Sequence, residues 1–425
     1  MPDVYIVTLG CPKNTVASRR LERGLSLLDV GVVDDPEAAT AIIVNTCGFI
    51  DAAKEESIDV LLELGKRRSN NSGPKIIAIG CLAERYGQEL SKAIPEVDCF
   101  LSFDELRSLP KILQVEGDIN LDLQTHRGAA TAYLEISDGC NNKCSFCAIP
   151  GIRGPYRSRP AEHIVAEAGY LAENGCKELI VIGQDTGVYG YDLLPKTNLP
   201  ALLGRLAAVR GIGWIRLMYL QPQYASAELI SVMAAETKIC AYLDLPFQHA
   251  DPKIIKAMKR WGDERVYLKI IDDIRQKIPD IALRTSVIVG FPGETKTELA
   301  RLAHFLRRAE LDYVGVFEFS AEEGTPAANY AGQLSERTKR SRSEQIRSLA
   351  DEISDRRLSR FIDRALDVLV ESGSDNYFVG RNEFQAPEID GEVIISGAGL
   401  KPGDMTSVKI EAHSDYDLVG RLDHG

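Results

Sequence analysis

Three cysteines fall within eight residues, Cys140-Asn141-Asn142-Lys143-Cys144-Ser145-Phe146-Cys147, separated by three residues and then by two. Thiolates are soft ligands for iron and zinc. Three on so short a loop can wrap one inorganic centre but leave a four-ligand shell incomplete. Structural zinc almost always takes four protein ligands, and a cuboidal iron–sulfur cluster normally takes four cysteines. The loop therefore predicts a cluster with one iron open to a further ligand, or a zinc site completed from elsewhere, for example by Cys176 or His163. A second trio is dispersed in sequence. Cys11, Cys47 and Cys81 each follow, within two residues, an apolar strand-like run: Val4–Leu9, Ala41–Thr46 and Lys75–Gly80. In an open parallel sheet the carboxyl ends of strands share one edge, where ligands bind. That topology would gather three distant thiolates into a second metal centre. Cys99, Cys176 and Cys240 show no such placement and read as packing residues.

The elements that position these cysteines follow from apolar patterning. Residues 1–116 alternate strand-like runs with amphipathic helical stretches, the pattern of an open parallel α/β sheet. Gly117–His126 has little apolar content and reads as a linker. Within a second domain, 126–360, the alternation resumes from Ala132 to about Ala331, with strands expected at Tyr133–Ile136, Glu178–Ile182, Trp214–Met218, Ala241–Leu245, Ala282–Val289 and Tyr313–Phe319. Helical patterns such as Ala161–Asn174 and Glu264–Lys277 fill the gaps. Such repeats suggest a partial (β/α) barrel, whose chemistry sits at the strand carboxyl ends. The three-cysteine loop follows the first of these strands, which puts it at the mouth. Leu334–Ile362 reads as a long charged helix with one apolar stripe of Ile346, Leu349, Ile353, Leu358 and Phe361. From 361 to 425 short β runs alternate with Gly, Asp and Asn turns, as in a small all-β barrel of about five strands.

Composition bounds the function. The chain has 425 residues, 44% hydrophobic and 26% charged, with no apolar run long enough for a membrane span. Its N-terminus has no basic region and goes straight into a strand-like run, unlike a signal peptide. Nine cysteines, an odd number, argue for metal or redox chemistry in the cytoplasm rather than for disulfides. A net charge of −12 disfavours a general nucleic-acid binder, because phosphate contacts need Lys and Arg. A basic protein partner suits it better.

The loop Cys140–Cys147 at the end of a first barrel strand resembles the signature of the radical S-adenosylmethionine (SAM) enzymes. With the N-terminal trio and the terminal β-barrel, the whole chain resembles the methylthiotransferase family: an N-terminal cluster domain, a radical SAM barrel and a TRAM-type barrel. Leu9–Asn14, Asn45–Ile50, Cys147–Pro150 with Arg153-Gly154 and Arg157–Arg159, Leu245–His249 and Ala386–Gly391 are similar to the branch that modifies a ribosomal protein. The tRNA-modifying branches, which methylthiolate N6-modified adenosine, carry other residues there. After Asn14 the family usually reads hydrophobic-Asp-Ser-Glu. This chain has Thr15-Val16-Ala17-Ser18-Arg19, so Ala17 and Arg19 replace two acids.

The resemblance implies two 4Fe-4S clusters, one on Cys140, Cys144 and Cys147 that binds SAM and one, auxiliary, on Cys11, Cys47 and Cys81. SAM would serve as methyl donor and as radical source, and the methylthio group would join the β-carbon of an aspartate in small-subunit ribosomal protein twelve. An open iron suits reductive cleavage of a sulfonium, because iron–sulfur potentials reach about −700 mV. Gln184 and Asp185, at the end of the second barrel strand, occupy the place where the superfamily binds the methionyl amine; Arg284 and Ser286, candidate SAM contacts, and the turn Gly290–Thr295 end the fifth strand, and that turn resembles the superfamily's adenine- and ribose-side region or serves turn geometry alone. Asn142 and Lys143 read as solvent-facing, His249 as structural or in contact with a ligand, and one of Tyr133 and Glu135 as facing the barrel interior. An electron donor such as flavodoxin or ferredoxin is implied. Residues 362–425 carry 13 Asp and Glu against 5 Lys and Arg, which suits a basic ribosomal protein and predicts no direct RNA readout.

Overall fold

The computed structural model describes residues 2–67 and 73–423, which divide into two compact units. The first comprises Met1–Arg127, Gly139–Asn141 and Ala148–Tyr156; the second comprises Gly128–Asp138, Asn142–Cys147 and Arg157–Gly425.

In the first unit, strands β1 (Asp3–Thr8), β2 (Gly31–Val32), β3 (Ala41–Thr46), β4 (Lys75–Gly80) and β5 (Cys99–Phe100) form one parallel sheet in the order β2-β1-β3-β4-β5. Every residue of β3 is buried, as is usual for parallel strands covered on both faces. One face packs on Leu21 and Leu25 of α1 (Pro12–Ser26) and on Leu109 of α4 (Leu109–Ile112). The other packs on Leu61 of α2 (Asp51–Arg67) and Leu82 of α3 (Cys81–Ala93). The two-residue edge strands β2 and β5 are too short to show a period and were not expected. A five-residue helix, α5 (Ile149–Arg153), also belongs to this unit.

The second unit is built on β6 (Thr131–Glu135), β9 (Glu178–Ile182), β10 (Trp214–Leu217), β11 (Ile239–Asp244), β12 (Ala282–Val289) and β13 (Tyr313–Glu318), an all-parallel six-stranded partial barrel ordered β13-β12-β11-β10-β9-β6. A two-stranded antiparallel pair, β7 (Ser137–Asp138) with β8 (Arg157–Ser158), follows β6. Helices α6 (Ala161–Glu173), α7 (Leu199–Ala207), α8 (Ala227–Ala235), α9 (Pro252–Ala257), α10 (Glu264–Lys277) and α11 (Lys296–Ala309) connect the strands, with one continuous apolar core beneath them. The long helix α12 (Glu336–Leu358) buries Ile346, Leu349 and Ile353 in that core, the stripe its period predicts. Among the described residues no helix is long and apolar enough to cross a membrane.

Five further strands close a small barrel in the order β14-β15-β16-β18-β17: β14 (Ala365–Ser374), β15 (Tyr377–Asn382), β16 (Val393–Ser396), β17 (Met405–Ser414) and β18 (Asp417–Leu422). Val393 and Ile395 point inward while Ile394 and Ser396 point out, the period of a half-buried strand. This barrel is tied to the parallel one by buried charges that no sequence pattern indicated. The Glu178 carboxylate accepts from Arg216 Nε at 2.7 Å and from Arg381 Nη2 at 2.6 Å, and all three side chains are at most 1% exposed. Arg216 also donates to the carbonyls of Glu383 (2.7 Å) and Asn382 (3.2 Å).

Candidate functional site

In the first unit the register Thr8↔Asn45 and Thr46↔Gly80 ends β1, β3 and β4 at a common edge. Cys11, Cys47 and Cys81 follow at that edge. Gly10 has φ of +88°, and a Cβ there would lie 2.6 Å from Cys47 Cβ and 2.8 Å from its Sγ, so only glycine lets the second cysteine approach the first strand end. Asn14, fully buried, locks the edge. Its Nδ2 donates to the carbonyls of Leu9 (2.7 Å) and Thr46 (3.1 Å), and its carbonyl accepts from Asn45 Nδ2 (2.9 Å). The Cys47 N–H donates to Ser57 Oγ (3.0 Å), which donates back to the Cys47 carbonyl.

The electrostatics suit anionic sulfur. Cys11 caps α1 and Cys81 opens α3, and helix N-termini favour negative charge. Burial pushes the Cys11 thiol up, but Lys13, the N–H groups of Asn14 and Lys13, and Arg153 outweigh it and leave Cys11 below its ordinary value. Burial pushes Cys47 up to about 11, and the proximity of Cys81 and Cys11 adds to that rise. An iron–sulfur core relieves that repulsion at Cys47, since its cations balance the thiolate charge. The donor set fits a cluster. Where the family usually has acids, Ala17 and Arg19 are half-buried on α1. Between them Ser18 Oγ accepts from Thr8 Oγ1 (2.7 Å) and Asn45 Nδ2 (3.0 Å), continuing the polar layer beneath the edge.

The remaining cysteines are packing residues. The Cys176 thiol lies in the barrel core and donates to the Glu178 carbonyl at 3.1 Å, and burial pushes it up to about 12. Burial likewise raises Cys240 to about 12 and Cys99 to about 11. His163 is exposed on α6. Among the described residues no three His, Cys, Asp or Glu side chains converge on a point that would hold a single metal ion. A polynuclear cluster carries its own bridging sulfides, so its protein ligands need not converge in that way.

The loop of the second trio is divided between the units, with Cys140 in the first and Cys144 and Cys147 in the second. Within the second unit its centre is firmly anchored. Ser145 is fully buried; its N–H donates to the Met258 carbonyl (3.0 Å), its hydroxyl to the Ala257 carbonyl (2.8 Å), and its carbonyl accepts from the Ala327 N–H (2.8 Å). Phe146 packs on Ile254, Met258, Phe291, Phe319 and Ala327. Lys143 is exposed as expected, but Asn142 is not solvent-facing. Its Nδ2 donates to Asp185 Oδ2 at 2.9 Å. The same oxygen accepts from Gln221 Nε2 (2.6 Å), whose Oε1 accepts from Arg260 Nη1 (2.6 Å), and Arg260 Nη1 lies 3.9 Å from Cys144 Sγ. Asp185 thus organises a relay ending beside a cysteine of the loop. Burial pushes its carboxyl up to about 6 despite these bonds and the nearby Arg260.

Beside it, Gln184 Nε2 donates to Asp138 Oδ1 (3.0 Å), while Gln184 Oε1 and Ser137 Oγ are buried with no hydrogen-bond partner among the described residues. Such orphans at a strand carboxyl end fit a ligand that supplies donors and acceptors. Arg284 is differently placed. Its guanidinium is held by Asp244 (3.1 Å) and Asp390 (3.2 Å), with Ser286 Oγ at 3.4 Å. Asp390 also accepts from Tyr242 Oη (2.5 Å) and the Ala386 N–H (3.0 Å), so residues of the C-terminal barrel enter the parallel barrel. Tyr133 lies near Glu388 and Tyr219 in the same interior. His249 Nδ1 accepts from the Asp251 N–H (3.0 Å), which leaves the ring proton on Nε2, 3.3 Å from the Glu294 carboxylate. Glu294 also accepts from the Gly290 N–H and from Arg342, which fixes the Gly290–Thr295 turn beside His249.

A family model described as the Radical SAM superfamily matches residues 134–306, one described as Uncharacterized protein family UPF0004 matches 3–102, and a TRAM domain model matches 362–422. Among curated proteins, "Ribosomal protein uS12 methylthiotransferase RimO" of Geobacter sulfurreducens is 42% identical, covering 99% of this chain and 98% of that protein. The chain belongs to the RimO family. The RimO protein of Clostridium perfringens is 41% identical over 98% of this chain and 97% of its own length. RimO-family membership, with the superfamily match, makes the chain a radical SAM methylthiotransferase and implies a 4Fe-4S cluster and SAM. Solved structures agree in fold. The radical SAM methyltransferase TsrM of Kitasatospora setae, with tryptophan and a SAM analogue bound, superposes at TM-score 0.52 and 15% identity over 75% of this chain and 73% of that one. The cobalamin-dependent SAM radical enzyme OxsB, with aqua-cobalamin and SAM bound, gives 0.53 and 11% identity over 83% and 56%.

Several residues of this arrangement carry no sequence signal of their own. Gln221 and Arg260 meet Asp185 from 36 and, through Gln221, a further 39 residues away, and only the fold brings them together. Arg153 does carry one, because it falls within a stretch similar to the family, yet its partners Asn14 and Cys81 could not be read from spacing.

Proposed function

We propose that the chain inserts a methylthio group at the β-carbon of an aspartate of ribosomal protein uS12, with two 4Fe-4S clusters and with SAM as methyl donor and radical source. The reading divides the chain into a cluster domain (1–116), a radical SAM barrel (126–360) and a TRAM-type barrel (361–425). The single observation that carries it is the gathering of Cys11, Cys47 and Cys81 at one sheet edge in a chain that also has the Cys140–Cys147 loop. When bound, the two clusters supply the low-potential electron that cleaves SAM and the site where sulfur is delivered.

The chain's own part is to hold and orient. Cys11, Cys47 and Cys81 ligate the auxiliary cluster, with Asn14 fixing the strand ends beneath it. Cys140, Cys144 and Cys147 ligate the other, and Ser145 and Phe146 fix their loop. Gln184 Oε1 and Ser137 Oγ offer acceptors to the methionyl end of SAM, while Asp185 keeps Asn142 and Gln221 aligned. Arg284, clamped by two carboxylates, acts through the barrel wall, with Ser286 beside it. Substrate capture falls to the acidic C-terminal barrel. Arg381 is turned inward there, so its outer surface is more acidic than its composition. Such a surface steers a basic ribosomal protein inward and repels RNA. A flavodoxin or ferredoxin would be the electron donor, and ribosomes place the reaction in the cytoplasm.

Anaerobic reconstitution tests the metal side: about eight irons per chain, falling to about four when Cys140, Cys144 and Cys147 are all changed to Ala. A triple variant that keeps the full load would show that the loop holds no cluster. Mass spectrometry of a deletion strain tests the substrate. The reading expects uS12 to lose the mass of one methylthio group. Loss of a tRNA methylthio group with uS12 unchanged would refute it.

A further inference from the structure

The first unit contains a cation that the ligand set does not require. Arg153 ends α5 and is half-buried. Its Nη2 donates to Asn14 Oδ1 at 3.1 Å and lies 3.5 Å from Cys81 Sγ. The guanidinium carbon sits 4.3 Å from the centroid of the Phe103 ring, and Phe103 is fixed by its N–H donating to Glu84 Oε2 (2.8 Å). Ala148 and Ile152, on the approach to Arg153, pack with Phe103 against Cys81. Asn14 holds the carbonyls of Leu9 and Thr46, so one guanidinium is registered to the strand ends that precede Cys11 and Cys47 as well as to Cys81 itself.

We propose that Arg153 is a positioning residue of the auxiliary centre, whose charge and N–H at Cys81 Sγ stabilise the more anionic, reduced state of the cluster held there. The inference rests on the two-cluster reading above. Hydrogen bonds to ligand sulfurs and nearby net charge are among the main controls of iron–sulfur potential. An arginine suits the role because it cannot shed its proton, and its planar fork reaches an amide oxygen and a sulfur together. The low-dielectric edge strengthens the interaction over its value in water.

The test uses the full chain with Cys140, Cys144 and Cys147 changed to Ala, so that only the auxiliary cluster is observed, in a redox titration followed by electron paramagnetic resonance. Arg153→Gln should retain about four irons and make reduction about tenfold less favourable, a fall in midpoint potential of about 59 mV for one electron. Arg153→Lys, which keeps the charge without the fork, should fall less. Should Arg153→Gln shed its irons while Arg153→Lys keeps them, the charge holds the cluster in place rather than setting its potential, and the proposal is overturned. An unchanged or higher potential in fully loaded Arg153→Gln overturns it, as does equal iron loss from both variants, which would assign the residue to shape alone. A parent triple variant that binds no iron would instead refute the two-cluster reading.

Discussion

Replacing Glu178 with Gln should weaken the chain by several kcal/mol without altering any cluster ligand. The carboxylate is fully buried, with Oε1 on Arg216 (2.7 Å) and Oε2 on Arg381 (2.6 Å), and Arg381 also reaches Glu371 at 2.6 Å. Burial alone would raise the Glu178 carboxyl, but the two guanidiniums outweigh it and hold the group at about 2 against an ordinary 4.5. At about 1.36 kcal/mol per pH unit, that depression is worth about 3 kcal/mol. Removing one partner of a buried ion pair typically costs about 3–5 kcal/mol, because the other charges stay buried. Gln preserves the shape, so the loss is of charge. Anaerobic urea unfolding, followed by the emission of Trp214 two residues from Arg216 on β10, reads it directly. The midpoint should fall by about 1 M or more at unchanged slope. Glu371→Gln, on a partly exposed partner, should cost under about 1 kcal/mol. The sign with pH follows from the depressed value. The contribution of Glu178 is complete above about 4.5 and is lost as pH falls toward about 2, so the two proteins should converge over that window. A midpoint within about 0.2 M of the parent would refute the reasoning, by showing that the carbonyls of Asn382, Glu383 and Gln385 suffice for both arginines.

Two further outcomes follow from the same geometry. Asp185→Asn should leave the iron content intact while lowering the rate of SAM cleavage, read as 5′-deoxyadenosine, by about 10–100-fold, because Asn142 and Gln221 lose their common acceptor; an unchanged rate would reduce the relay to packing. Association with purified uS12 should weaken several-fold as salt rises from about 0.05 to about 0.5 M, since an acidic barrel acts by screened attraction; salt-independent binding would assign capture to other surfaces.

The parallel strands were legible because strands buried on both faces read as apolar runs, and β3, β4 and β9 begin and end where those runs do. The cysteine sets were legible for two reasons: one is local in sequence, and the other is generated by a rule of topology. What escaped was the pairing of charges. Glu178 opens an apolar strand and Arg216 interrupts another, so each stands out, yet the cation that completes the set lies 203 residues beyond Glu178. The status of Asn142 was misread for a related reason. A polar residue in a cysteine loop looks solvated until the fold brings Asp185 within 2.9 Å.

The stretch Ala386–Gly391 shows how such long-range pairing bears on function. As sequence it resembles one branch of the family and sits in an acidic domain. In the folded chain Asp390 is 1% exposed and binds Arg284 and Tyr242, residues of the parallel barrel's own strands. Arg284 in turn holds Asp244, whose other oxygen accepts from the Tyr219 N–H. Tyr219 has φ of +57°, a strained conformation for a bulky residue, at the carboxyl end of β10. Backbone strain of this kind persists only where surroundings over-determine it. The C-terminal barrel therefore does more than carry charge. Through Asp390 and Arg284 it reaches Asp244 and the backbone of Tyr219, so a change in this stretch acts on the interior of the parallel barrel as well as on its own surface.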